Sequence, residues 1–360
     1  MRARVLVVGG GVIGLSSAWE LARAGHAVTL VAPTPGRDGA SWVAAGMLAP
    51  VTEAQFGEGA LTELLLEGAA RWKDFATRLE EASGRDVGYD ESGTLTVAAN
   101  ASDQAALHDL LEYQLSLGLT AHRRSASACR SLVPGLSPAL RAGIEVPGDH
   151  SVDNRALLAA LVVAAQGAGV DIVTASVVAV EPGPEVTLAD GDRLSADVVV
   201  VAAGVGTCLI EGLAGAGLPE IRPVKGHILR LAPPPGVSPT TLVPRTIRAL
   251  VSGRSVYLVP RPDGTVVIGA TVEERGYDHT VQAGAVYQLL ADARTVLPGI
   301  DEYTLLESAT GLRPATRSNT PFLGWTDLEG VAVATGHYRN GILLAPYTAE
   351  TMVALVAAQA

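Results

Sequence analysis

The strongest constraint on this chain lies in its first fifteen residues. The apolar run Val5-Leu6-Val7-Val8 leads directly into Gly9-Gly10-Gly11-Val12-Ile13-Gly14, and a helical pattern follows from Leu15 to Ala24. Gly9, Gly11 and Gly14 fit the G-x-G-x-x-G spacing of a dinucleotide-binding turn. The first glycine makes the tight turn, the second lets backbone approach a pyrophosphate, and the third lets the helix pack closely on the strand. N–H groups left free at the helix start are expected to face phosphates. Gly25-His26 ends the helix, and Ala27-Val28-Thr29-Leu30-Val31 supplies the second strand of a βαβ unit.

Two details qualify this reading. Basic residues before an apolar run also resemble a secretory signal, but three consecutive glycines weaken the helix such a signal must form, and Glu20 and Arg23 continue an amphipathic helix. A folded strand is therefore expected here. The end of the second strand, where an acidic residue ordinarily holds a ribose hydroxyl, carries Ala32, with only the Thr34 hydroxyl and backbone groups nearby.

Composition narrows the function. At 360 residues, 48% of them hydrophobic, the chain can bury a sizeable core in two domains or one large one. A net charge of -11 leaves no basic stripe to neutralise nucleic-acid phosphates. Cys129 and Cys208 lie in no C-x-x-C pair, and His108, His122 and His150 share no metal-ligand spacing, so neither a metal site nor a disulfide framework is expected. A reducing cytoplasm is the simplest compartment. The apolar runs at 156–165 and 198–205 are too short to span a bilayer. The sequence leaves monomer and homo-oligomer both open.

Residues 39–50 are small and nearly uncharged, suiting a loop pressed against a flat ligand. Helical spacing of Leu61, Leu64, Leu65, Ala69, Trp72, Phe75 and Leu79 predicts one helix over 60–82. Strands are expected at 87–89 and 93–97 and a helix over 103–117, making 84–147 an insertion into the nucleotide domain. Asp153-Asn154-Arg155 caps a helix over 156–166. Strands at 169–173, 177–180 and 186–188 precede a buried strand from Asp197 whose Ala203-Gly204 end brings backbone close to a ligand. From Ile221 the alternation at 227–231, 255–259 and 265–269 predicts a mostly antiparallel sheet with one covered face, followed by a helix over 280–297. A strand at 331–335 and a turn at 336–341 lead into the last helix, expected to start near Gly341.

At this point the chain resembles the D-amino-acid-oxidase-type flavoproteins, most closely their glycine-oxidase branch of thiamine biosynthesis. The motifs run in order along nearly the whole chain: 9–14, 44–50, Pro223-Val224-Lys225-Gly226-His227, 257–261, 269–274, Gly311-Leu312-Arg313-Pro314 and 336–346. The resemblance implies an α/β plus antiparallel β fold, with a Rossmann-type FAD-binding domain (1–83, 148–221 and 306–360) interleaved with a mostly antiparallel substrate domain (84–147 and 222–305). It implies non-covalent FAD, with the pyrophosphate on Gly9, Gly11, Val12, Ile13 and Gly14 and the isoalloxazine along Ser41, Ala45, Gly46, Met47 and Leu48. Further contacts are implied from Val177, Ala203, Gly204, His337, Arg339, Asn340, Gly341, Ile342 and Leu343. A helix start near Gly341 would direct N–H groups toward the flavin N1 and O2 side, where negative charge develops on reduction.

The same resemblance makes Arg313 the bidentate clamp of a substrate carboxylate and Tyr257 a second donor to it, and it places Arg339 at the entrance. On residues alone, Arg313 reads as a structural ion pair and Tyr257 as a core tyrosine. His337 reads as structural, while Met47 and Val272 are candidates for the pocket wall. The implied reaction is oxidation of glycine or another small amine or D-amino acid: hydride leaves the α carbon for flavin N5, the imine goes on to glyoxylate and ammonia, and dioxygen becomes hydrogen peroxide. No general base beside the α carbon is required. The alternative is an oxidase or dehydrogenase of a larger D-amino acid or of sarcosine.

Overall fold

The computed structural model describes residues 2–236 and 242–359. Its organising layer is a six-stranded sheet in the spatial order Phe322–Trp325, Val331–Thr335, Val198–Val201, Arg4–Val8, Ala27–Val31 and Asp171–Val173. Every neighbouring pair is parallel except the first, which is antiparallel. The unbroken apolar runs are explained by burial of both faces. Val5 and Val7 join a core with Leu15, Leu157 and Met352 of the covering helices, while Leu6 and Val8 face Val180, Val186 and Leu188 of a small three-stranded sheet.

The register aligns Val8 with Val31 on one side and with Val201 on the other. The glycine turn, Ala32 and the segment from Ala202 therefore emerge together at one edge, where ligands of such sheets bind. Gly9 takes a positive φ of 120°. A Cβ on Gly14 would lie 1.9 Å from the Gly9 carbonyl oxygen, so the helix Val12–Arg23 rests on the turn itself. Behind it, Trp19 and Trp72 each meet Phe75 edge to face, at 5.5 and 5.6 Å. Such contacts contribute about 0.5–1.5 kcal/mol each beyond their buried area.

The second layer is an eight-stranded sheet in the order Thr304–Ala315, Arg222–Ala232, Val266–Gly269, Arg254–Pro260, Thr246–Val251, Thr94–Ala98, Ala142–Val146 and His122–Ser125. It is antiparallel apart from the Thr246–Val251/Thr94–Ala98 pair. Ile228, Gly269, Tyr257, Arg248 and Thr96 stand in register across five of its strands. The fold class is the expected one, an α/β layer combined with a largely antiparallel sheet.

Several elements differ from the sequence reading. The helix expected over 60–82 is two, Gly59–Ala70 and Trp72–Ser83, joined at Arg71. The break lies where Gly68 backs onto Leu343 and Leu344, while apolar spacing continues through it and conceals it. Residues 87–89 form no strand: Asp90 makes an isolated bridge to Ser151. The central strand Arg222–Ala232 is buried along most of its length, on both faces rather than one. Thr304–Ala315 belongs to the eight-stranded sheet, so the boundary expected at 305/306 falls inside a strand. Among the described residues no helix is long and apolar enough to cross a membrane.

The Gly14 contact gives a direct test. Gly14→Ala should lower the unfolding free energy by about 1–3 kcal/mol through overpacking. Gly167→Ala, at an exposed helix end with nothing within 4 Å of the added carbon, should be neutral or stabilising by up to about 1 kcal/mol. Urea unfolding compares the two, and equal effects would refute the close helix-to-turn contact.

Candidate active site

Between the strand ends of the first sheet and one face of the second lies a cavity of about 730 Å³. That volume is in the upper part of the range of about 300–1,000 Å³ common for small-molecule sites. Gly9, Gly11, Val12, Ile13, Ser41, Ala45, Gly46, Met47, Val177, Ala203 and Gly204 line it, together with Tyr257, Arg313, His337, Arg339, Asn340, Gly341, Ile342 and Leu343. Two expected residues do not. Gly14 lies behind the turn, acting through packing, and Leu48 is buried in the core, in a two-residue strand paired with His150–Ser151. Met47 and Val272 both reach the wall.

The nucleotide end is built from backbone. The Ser41 hydroxyl accepts the Val12 N–H at 3.0 Å, so one donor of the helix start is already engaged and the others stay open. Residues 39–43 form a short helix capped by Asp38. Asn154 Nδ2 donates to the carbonyls of Ser41 and Trp42 at 2.8 and 2.9 Å, and Arg261 Nη2 donates to that of Ala45 at 2.8 Å. These buried bonds fix the small-residue segment without charge on its cavity side. Ala32, Thr34 and Asp38 line the cavity beyond the end of the second strand; the Asp38 carboxylate there had no signal beyond its helix-capping position.

The C-terminal turn corrects one expectation: its helix begins at Ala345, not Gly341, because residues 341–344 close as successive turns ahead of Pro346. The N–H groups of Gly341, Ile342 and Leu343 meet no acceptor among the described residues, while Leu344 N–H donates to Asn340. Three adjacent open donors still make a seat for negative charge. The Trp72 indole donates to the Leu343 carbonyl at 2.8 Å, and the Tyr338 N–H donates to Pro314 at 2.7 Å. The turn is thereby tied to the strand that carries Arg313. His337 puts Nε2 2.9 Å from the Thr348 hydroxyl, and burial depresses its pKa to about 3, so the ring is neutral and structural while its backbone borders the cavity.

At the opposite end Arg313 crosses over Gly226, where a Cβ would sit 2.2 Å from Nη2. Its Nη1 donates to the carbonyls of Lys225 and Thr271 at 3.3 and 3.2 Å, and among the described residues no carboxylate pairs with it. The structural ion pair that residues alone suggested is therefore absent from this guanidinium. Burial pushes the Tyr257 phenol up despite the opposing pull of Arg313 and Arg248, keeping it protonated as a donor. Arg339 also reaches the cavity, but its Nε lies 2.5 Å from Glu53 Oε2.

Glu53 and Arg248 are cavity residues that the sequence reading missed. Glu53 Oε1 is 2.5 Å from Arg248 Nη1, and although burial opposes its charge, Arg248 and then Arg339 hold its pKa below the ordinary range. A lone acid in the uncharged run 49–54 was the available signal for Glu53; Arg248 had none, since its strand was not expected. The loop carrying Glu53 hangs from Asp149, which accepts the N–H groups of Val51 and Thr52, both at 2.9 Å.

A dinucleotide-type glycine turn sharing one cavity with a half-buried arginine and a half-buried phenol places the chain among cofactor-dependent oxidoreductases. The chain belongs to the FAD dependent oxidoreductase family, whose model matches residues 4–355. It is 34% identical, over 98% of its length, to the bifunctional protein ThiO/ThiG of Synechocystis, and spans about half of that relative, 51%. The crystal structure of glycine oxidase from Geobacillus kaustophilus superposes with a TM-score of 0.90 at 31% identity, covering 99% of this chain and 95% of that one. That of iminodiacetate oxidase from Chelativorans gives 0.86 at 28%, covering 99% and 95%. The N–H groups of the helix start and of residues 341–343, which meet no acceptor among the described residues apart from that of Val12, fit FAD, the cofactor of this family.

Two measurements follow. Ala32→Glu should tighten FAD by up to about 1.5–3 kcal/mol, the range of a charged hydrogen bond. Fluorescence titration of apoprotein reads this, and unchanged affinity would show that Asp38 or backbone already satisfies the ribose. Burial lifts Asp149 to about 6, above its ordinary 3.8. A raised folded-state pKa contributes stability that is full below about pH 4 and lost as pH rises through about 6. The unfolding free energy of wild type minus that of Asp149→Asn should fall by up to about 3 kcal/mol between pH 4 and pH 7. A difference flat across that interval would mean that Asp149 titrates normally.

Proposed function

We propose that this chain catalyses FAD-dependent oxidation of glycine, and of other small amines or D-amino acids, in the cytoplasm. The imine formed either supplies thiamine thiazole synthesis or is hydrolysed to glyoxylate and ammonia. The observation that carries the reading is Arg313: a cavity-facing guanidinium with carbonyl partners and no carboxylate, beside a protonated Tyr257. A half-buried guanidinium without a counter-ion carries part of the cost of burying charge, and a substrate carboxylate removes that cost. The likeness to glycine oxidase over nearly the full length of both chains supports glycine as the substrate.

FAD, when bound, accepts two electrons from the substrate and passes them to dioxygen, giving hydrogen peroxide. In this reading it is held by the glycine turn at 9–14, the segment 41–48, Val177, Ala203, Gly204 and the turn at 337–343. The protein's own contribution is placement. Arg313 grips the carboxylate with a planar fork, the Tyr257 hydroxyl donates to the same group, and the α carbon is thereby aimed into the cavity. Arg339 lies at the mouth. Because the hydride carries both electrons, the reaction needs no general base beside the α carbon, and the lack of an obvious histidine or glutamate at the motif residues is in keeping with it. Glycine has five heavy atoms, and a ceiling of about -1.5 kcal/mol per atom limits its affinity to about micromolar.

Replacement of the clamp tests the proposal. Arg313→Ala should raise KM for glycine and slow flavin reduction, and Arg313→Lys should restore only part of it, since a point charge cannot reproduce two parallel donors. Tyr257→Phe removes one neutral hydrogen bond and should cost about 0.5–1.5 kcal/mol, roughly threefold to tenfold in kcat/KM. Anaerobic stopped-flow reduction at matched FAD content measures the order. Wild-type reduction rates in Arg313→Ala would overturn the assignment.

A further inference from the structure

Three arginines, Arg248, Arg313 and Arg339, line the cavity, far more cation than one small carboxylate needs. Beside them stand two buried acids, Glu53, whose side chain is 9% exposed, and Asp149, whose two oxygens are engaged by the Val51 and Thr52 N–H groups, so that Glu53 alone is hydrogen-bonded to one of the three. The two Glu53 oxygens are divided between two of the three: Oε1 lies 2.5 Å from Arg248 Nη1 and Oε2 lies 2.5 Å from Arg339 Nε. Arg313, which Glu53 also feels electrostatically, makes no ion pair with a carboxylate among the described residues. Arg248 stands directly opposite Tyr257 on the adjacent antiparallel strand. Such cross-strand partners point to the same face about 4.5–5.5 Å apart, so Arg248 borders the place where Tyr257 would meet a substrate.

Resting on the reading of Arg313 as the carboxylate clamp, we infer that Glu53 is a specificity-determining residue that masks a second anion site at Arg248 and Arg339. With Glu53 in place the cavity offers one free fork, so it takes amino acids that carry one carboxylate and disfavours those that carry two. A role as receptor for the substrate ammonium is a poorer fit, because an ammonium would have to displace two guanidiniums already within hydrogen-bonding distance. Loss of the Glu53 charge leaves Arg248 buried and unpaired, and a second carboxylate on the ligand is the natural replacement. The surrounding structure holds the mask in place: Asp149 fixes the Glu53 loop through two backbone N–H groups, and the Thr52 hydroxyl lies 3.2 Å from Arg248 Nη1.

Binding of acetate and of malonate to the FAD-loaded protein, measured by calorimetry, separates this inference from the one it rests on. Acetate reports the Arg313 site: if Arg313→Ala leaves acetate binding unchanged, the clamp reading fails whatever Glu53 does. The ratio of malonate to acetate affinity reports the mask. Glu53→Gln should raise that ratio by about tenfold to a hundredfold, the worth of one charged hydrogen bond. Glu53→Asp should stay near the wild-type ratio, and Glu53→Gln combined with Arg248→Gln should lose most of the gain. An unchanged ratio in a folded Glu53→Gln protein that still binds acetate overturns the inference. Should Glu53→Gln fail to fold, Glu53→Met, which fills a similar volume without charge, decides: a rise in the ratio upholds the mask and an unchanged ratio refutes it.

Discussion

The backbone contact between Gly14 and the Gly9 carbonyl is the constraint on which the rest of this molecule depends. It allows the helix Val12–Arg23 to rest on the turn that feeds it, with no side chain between. The helix start is then aimed into the crevice beyond the parallel strand ends, and the same register brings Ala32 and Ala202–Gly204 to that edge. Backbone N–H groups rather than charged side chains line this end of the cavity. Negative charge on a cofactor is met by dipoles that are already fixed, with little reorganisation on binding.

The other end of the cavity works by the opposite rule. Here charge is concentrated on side chains that a strongly apolar sheet holds in register, and burial makes each interaction count for more. Glu53 is hydrogen-bonded to Arg248 and ion-paired with Arg339, whereas among the described residues Arg313 donates to carbonyls and pairs with no carboxylate. A fold does not ordinarily leave a guanidinium in that condition, and in the proposed reaction a substrate carboxylate completes it. The two ends meet through backbone as well: Tyr338 donates to Pro314, the residue after Arg313, so the open donors of the C-terminal turn are tied to the strand that carries Arg313.

Much of this was legible in the sequence because it is local. The glycine spacing, the continuous apolar runs of doubly covered strands and the alternating strands after Ile221 are properties of short windows, and they specified both layers. The break at Arg71 was not legible, because it is produced by Leu343 and Leu344, far away in the chain, while the helical spacing continues across it. The start of the last helix at Ala345 was misplaced for a related reason: the turn at 341–344 is held by Trp72 from another helix.

The sequence by itself determined that a nucleotide turn opens the chain and that Arg313 and Tyr257 lie in motifs of one family. Only the tertiary structure decided which charges are free. Glu53, Arg248 and Arg339 are widely separated in sequence, and nothing in any one segment says that one acid is shared by these two arginines or that, among the described residues, Arg313 pairs with no carboxylate. The reason is physical: a motif fixes where a side chain starts, but ionic pairing depends on distances between chain segments, and those exist only once the two sheets have closed around the cavity.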